Sequence, residues 1–190
     1  MDFNNHNSNR RRCKCNINPC SCKKVCRVPS AFIGPFRTTE RPESPIIGAT
    51  CGLCEYGYIY NLTPQVVAVE ADILFDSNGV MTPGIVHTPG TTQIIVNVPG
   101  DYQVQFVVLG TEPNQFALFL NGSVVPGAIY ASGAGTQIDG GQGIFTIAAG
   151  DVLTIRNHSS AAAIGLASPI GGTQANVNAS IVIKLLSPIG

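Results

Sequence analysis

Five cysteines fall within fourteen residues near the start of the chain, in the run RRRCKCNINPCSCKKVCRVP: Cys13, Cys15, Cys20, Cys22 and Cys26. Arginine and lysine beside a thiol lower its pKa and raise the fraction of thiolate, the species that attacks disulfides and binds metals. Spacing bears on which chemistry follows. Cys-x-Cys pairs differ from the Cys-x2-Cys knuckles that grip tetrahedral zinc, so disulfide cross-linking is the favoured reading, with zinc and free thiols as alternatives. Cys51-Gly52-Leu53-Cys54 does have the two-residue spacing. No βαβ pattern follows it, so a structural or cross-linking pair is expected there rather than a thioredoxin-like one. Seven cysteines is an odd number, so full oxidation of one chain leaves a sulfur for another molecule.

Other chemistry is sparse. His6, His87 and His158 are the three histidines, and none stands in a metal-ligand motif. Asn157-His158-Ser159-Ser160 directly follows a strand-like run and reads as a polar loop rather than a nucleophile centre. Glu70, Asp72 and Asp76 lack the spacing of a calcium loop and are expected to face solvent. No enzyme activity, metal site or cofactor is expected. Sequons begin at Asn61, Asn121, Asn157 and Asn178. They read as chance matches among turn residues, because the polar N-terminus MDFNNHNSNRRR has no apolar core of a secretory signal.

Composition divides the chain in two. Residues 1–41 hold nine of the eleven basic side chains and two acids, a net of +7; residues 42–190 hold two basic side chains and nine acids, a net of −7. The basic tail, with Phe3 as its only aromatic before residue 31, is expected to meet acidic partners and not nucleic acid. No apolar run reaches eighteen residues, so no membrane span is expected. Three segments follow: a cysteine-rich tail over 1–30, disordered until cross-linked, metallated or bound; a proline-bearing linker over 31–54; and a folded head over 55–190.

The head must supply the scaffold, and its patterning is all β. Strand signals recur about every ten residues from Glu55 onward, the rhythm of a sandwich or jelly roll. Tyr102, Val104 and Phe106 alternate with polar residues. Ile181, Ile183 and Leu185 form one face of a closing strand. Phe116-Ala117-Leu118-Phe119-Leu120 is apolar on both faces, so its second face needs cover, with a neighbouring subunit as a plausible source. Asn121-Gly122 then suits a type I′ turn with positive φ at both positions. Further strands are expected at 56–60, 66–75, 85–88 and 92–98, with a turn over 76–79, another at 99–101, a glycine-rich loop over 132–143 and a small-residue apolar segment at 161–167.

The segments ADILFDSNG, GIVHTPGTTQIIVNVPGDYQVQF, EPNQFALFLNG, AAGDVLTIRNHSSAAA and GGTQANVNASIVIKLL resemble the C-terminal head of the BclA-like collagen-like glycoproteins of the bacterial spore exosporium. The resemblance spans roughly 56–186. It implies a jelly roll of the tumour necrosis factor and complement-head type, a homotrimer, and a place on the spore surface reached without a signal peptide. This chain has no Gly-X-Y stalk, and Phe32-Ile33-Gly34-Pro35 only echoes the family's leader. The tail is instead similar in style to the cysteine-bearing connectors of spore appendage subunits. Twenty-one cysteines in a trimer is again odd, so at least one thiol is free or bonded to another molecule, and covalent attachment to other spore-surface proteins is the expectation. The expectation is a structural protein of the exosporium or appendage. The alternatives are a surface-ligand or host-recognition module and a self-assembling disulfide-linked appendage subunit.

Overall fold

The computed structural model describes residues 53–135 and 137–189. Twelve strands appear among them: β1 Tyr56–Asn61, β2 Gln65–Val67, β3 Ser77–Met81, β4 Ile85–His87, β5 Ile94–Val96, β6 Gly100–Val108, β7 Asn114–Leu120, β8 Ser123–Ser132, β9 Asp139–Ile147, β10 Asp151–Asn157, β11 Ile164–Leu166 and β12 Ala179–Pro188. They form two five-stranded antiparallel sheets, in the orders β3-β1-β12-β6-β9 and β4-β5-β10-β7-β8, plus the small pair β11-β2. The described chain is thus an all-β jelly-roll sandwich.

The core lies between the sheets and follows from period-two patterning. In β6, Tyr102, Val104, Phe106 and Val108 are buried while the residues between them are not. Ile181, Ile183 and Leu185 of β12 lie beside them, register-matched as Phe106↔Ile181, Val104↔Ile183 and Tyr102↔Leu185. Phe116 and Leu118 of β7 and Leu153 and Ile155 of β10 close the core from the second sheet. Asn121 and Gly122 take φ of 51° and 77°, both left-handed, and join β7 to β8. β8 runs on well past Val125, through Pro126, which an edge strand tolerates.

Several local expectations are corrected. The run 66–75 is strand only to Val67. Glu70 turns left-handed at φ 62°, and the chain then makes single bridges, Asp72↔Arg156 to β10 and Phe75↔Thr91 to the connection between β4 and β5. The expected turn over 76–79 is largely strand β3. Asp76 supplies the local polar chemistry by accepting hydrogen bonds from the Leu62 and Thr63 amides and the Thr63 hydroxyl. Gly79 is there for close approach, since a Cβ would sit 2.7 Å from Cδ1 of Tyr58. The glycine-rich run 132–143 is loop only as far as Ile138; Gly140, Gly141 and Gly143 belong to β9. Gly100, read as part of a turn, already opens β6, and 161–167 contains the short strand β11.

Phe116–Leu120 is corrected too. Phe116, Ala117 and Leu118 are fully buried within the single chain and Phe119 is 5% exposed. Its second face is not left for a neighbour. The Arg156 guanidinium lies 4.2 Å from the centre of the Phe119 ring, and His158 meets the same ring edge-on at 5.3 Å. A long cationic side chain covers apolar surface well, because its stem packs while its head stays near water.

Candidate functional site

Cys13, Cys15, Cys20, Cys22, Cys26 and Cys51 lie outside the described residues, as do the tail and all of the linker but Leu53 and Cys54. Cys54 is exposed just ahead of β1. The apolar residues singled out from sequence do not gather at a surface. Tyr102, Val104, Phe106, Phe116, Leu118, Ile181, Ile183 and Leu185 fill the core; Phe119 sits beneath Arg156, and Leu120 is half-buried at the core margin.

What the chain offers outward is set by the other parity of the same strands. On the first sheet, Tyr56, Tyr58 and Tyr60 of β1 point away from the core because Gly57 and Ile59 point in. Their cross-strand neighbours are Lys184, Val182 and Ser180 of β12, and beyond these Gln103, Gln105 and Val107 of β6. Gln142 and Ile144 of β9 extend the face. The Tyr58 and Tyr60 rings stack at 5.2 Å, and Ile144 is 68% exposed. Lys184 is the one charge in the middle of this surface, with Asp101 at its end, bonded to Thr146. The alternation YGYIY was visible from sequence. What was missing was the sign, namely which of the two alternating sets meets the core.

The second sheet presents a charged cluster instead. Asp72 accepts hydrogen bonds from Arg156 Nε at 2.7 Å and Nη2 at 3.3 Å. That pairing raises the arginine's pKa still further. His158 Nδ1 lies 3.0 Å from both carboxylate oxygens of Glu70, which also accepts from the Ser159 amide. Contact with His158 and that amide holds the Glu70 carboxyl below its ordinary range. Glu70, expected to face solvent, is exposed, while Asp72 and Asp76 are half-buried, and all three accept hydrogen bonds. Among the described residues no three of His, Cys, Asp and Glu group closely enough to hold a metal ion, and no helix is long and apolar enough to cross a membrane. Asn61, Asn157 and Asn178 are fully buried, which leaves Asn121 as the one exposed sequon asparagine.

Asp139 stands apart. It opens β9 at 2% exposure, and its Oδ2 has no described partner. Burial pushes its pKa up to about 6, opposed only by a backbone hydrogen bond from Phe116. An acid whose folded pKa lies above its unfolded value favours the folded state most when protonated. Stability should therefore fall as pH rises from the ordinary value of 3.8 to about 6, then level off. The Asp139→Asn variant should lose this slope and melt higher than the parent at neutral pH. Thermal melts of both proteins across that range provide the check. Parallel pH profiles would show that Asp139 is not the group responsible.

No family model matches the chain, and no curated protein matches it. Among solved structures, the globular domain of zebrafish complement 1qA protein matches at a TM-score of 0.55 and 10% identity, covering 71% of this chain and 99% of that one. The Eiger TNF of S. frugiperda matches at 0.49 and 15% identity, over 71% and 94% of the two chains. Murine APRIL matches at 0.47 and 11% identity, over 70% and 98%. Such identities speak to fold alone, and the first of these likenesses carries that weight. The head of this chain has the jelly-roll fold seen in the complement 1qA globular domain.

Proposed function

We propose that the chain is a structural protein of the bacterial spore surface, its head packed as a homotrimer and its cysteine tail bonded covalently to other exosporium or appendage subunits. The observation that carries the trimer is the outward face of the first sheet. Tyr56, Tyr58, Tyr60, Val107, Val182 and Ile144 form a nearly uncharged, aromatic-rich surface on rigid strands. Interface cores are depleted in charge and enriched in tyrosine in the same way. Three copies, rather than two, is what the resemblance to exosporium heads implies.

The attachment rests on the tail: dense thiols, basic neighbours that favour thiolate, and an odd count in one chain or three. A +7 segment is also drawn to acidic surfaces, including the −7 remainder of neighbouring copies. Changing Cys13, Cys15, Cys20, Cys22 and Cys26 together to serine should leave the head folded but release the protein from spores without reductant. The parent should need reductant for release, as read by reducing against non-reducing electrophoresis. A variant held as firmly as the parent would place the attachment elsewhere.

A further inference from the structure

One patch meeting itself cannot close a three-fold ring. A self-matching patch makes a two-fold dimer, whereas a ring needs two unlike patches on every chain, each fitting the other on the next copy. The outward face of the first sheet divides in this way. Its residues run across the strands in register: Tyr56, Lys184, Gln103 and Ile144 form one row, and Tyr58, Val182, Gln105 and Gln142 the next. The β1 side carries the tyrosines. The β9 side carries a groove of about 480 Å³, lined by Gln103, Tyr130, Gln142, Gly143 and Ile144.

That groove has the chemistry to hold a phenol ring. Tyr130 is fixed in its wall, because its hydroxyl donates to the Gln142 carbonyl at 2.9 Å and its ring meets Phe106 edge to face. Ile144, 68% exposed, offers apolar surface. The Gln103 and Gln142 side-chain amides each bring donors and an acceptor for a hydroxyl. No lining residue is charged, and the volume lies in the range that holds ring-sized ligands, about 300–1,000 Å³.

Tyr56 is the side chain that fits. Tyr58 and Tyr60 stack on each other, but Tyr56 makes no ring contact and no hydroxyl hydrogen bond among the described residues, and it is 39% exposed. A ring with an unused hydroxyl is a common interface anchor. Charge supplies the alignment. Lys184, beside Tyr56, forms no ion pair among the described residues. Asp101 stands at the β9 side, opposite Thr146. Tyr56 and Lys184 are one strand spacing apart, about 5 Å, and Asp101 is two residues, about 7 Å, from Gln103. One docking therefore seats the ring and brings the ammonium towards a carboxylate.

We infer, on the reading of the head as a trimer, that Tyr56 of one copy fills the β9-side groove of the next, with Lys184 facing that copy's Asp101. Each contact of the ring then joins the two unlike halves of the first sheet.

A photo-cross-linker tests this: p-benzoylphenylalanine in place of Tyr56, in the full chain and in excess reductant so that disulfides contribute nothing. Within one chain, Tyr56 and Ile144 are three strand spacings apart, about 14 Å, beyond the reach of the probe. Irradiation should give products of two and three chain masses on reducing gels. Mass spectrometry should place the links at Gln103 or at residues 142–144. Ile144→Glu should cut their yield about 10-fold without lowering the melting temperature. Lys184→Glu and Asp101→Lys should each weaken association about 3- to 10-fold, and the two together should recover it. The docking is overturned if a chain that sediments as a trimer links position 56 elsewhere or not at all, or if the charge exchange recovers nothing. A single-chain mass for the parent would instead remove the trimer itself.

Discussion

Replacing Gly141 by valine should lower the stability of the head by about 2–3 kcal/mol, while Gly143→Ala two residues along the same strand should change it little. Gly141 faces the core from β9, opposite Phe106. A Cβ built there lies 2.5 Å from Cζ of Phe106 and 2.5 Å from Cδ2 of Tyr130, with Cε1 of Phe106 nearer still. Those two rings meet edge to face at 6.0 Å, and the Tyr130 hydroxyl is anchored to the Gln142 carbonyl at 2.9 Å. Neither ring can withdraw without breaking that contact or opening a void, and overpacking of this kind costs about 1–3 kcal/mol. At Gly143 the nearest atoms are Cδ1 and Cε1 of Phe145 at 3.4 Å, an ordinary contact. For a domain of this size the difference amounts to roughly 5–10 °C in melting temperature. Equal melting of the two variants would mean that the ring pair is not packed over Gly141.

The same glycine marks where sequence reading succeeds and where it stops. The alternation of Tyr102, Val104 and Phe106, and of Ile181, Ile183 and Leu185, is a local pattern, and it points to strands without any knowledge of partners. A glycine is ambiguous by comparison. It permits left-handed turns and it also permits close approach, and only the third dimension separates the two uses. Hence Asn121-Gly122 reads directly as a hairpin turn, whereas Gly79 and Gly141 read as loop but lie in strands beneath aromatic rings. The cover over Phe119 was out of reach for another reason. Arg156 lies 37 positions from Phe119 in sequence, and the Asp72 that fixes Arg156 lies another 84 positions from it. No periodicity reports such a pair. As for the tyrosine face, the alternating tyrosines are explicit in YGYIY; their outward direction depends on Ile59 being the residue that the opposite sheet covers.

Tyr58→Asp should take the assembled head apart while leaving each copy folded. The Tyr58 side chain is 36% exposed on the outward face and stacks on Tyr60, so its loss removes little from the core. In a trimer built on this face, however, it would place three carboxylates against an aromatic surface whose one central charge is Lys184. Burying an unpaired charge costs several kcal/mol. Association should weaken by about a hundredfold or more. Tyr58→Phe, which keeps the ring, should assemble like the parent. Ile129→Asp makes the better control: Ile129 is 45% exposed, but on the second sheet, and a charge there should leave assembly unchanged. If Ile129→Asp dissociates the protein and Tyr58→Asp does not, the interface lies on the other sheet.

Sedimentation equilibrium of the full chain in excess reductant asks the underlying question most directly, because disulfides then contribute nothing to the mass. A trimer held by the tyrosine face should sediment at three times the 19.9 kDa chain mass at micromolar concentration under those conditions. A single-chain mass under those conditions would contradict the trimer, and with it the reading of the first sheet as an assembly face.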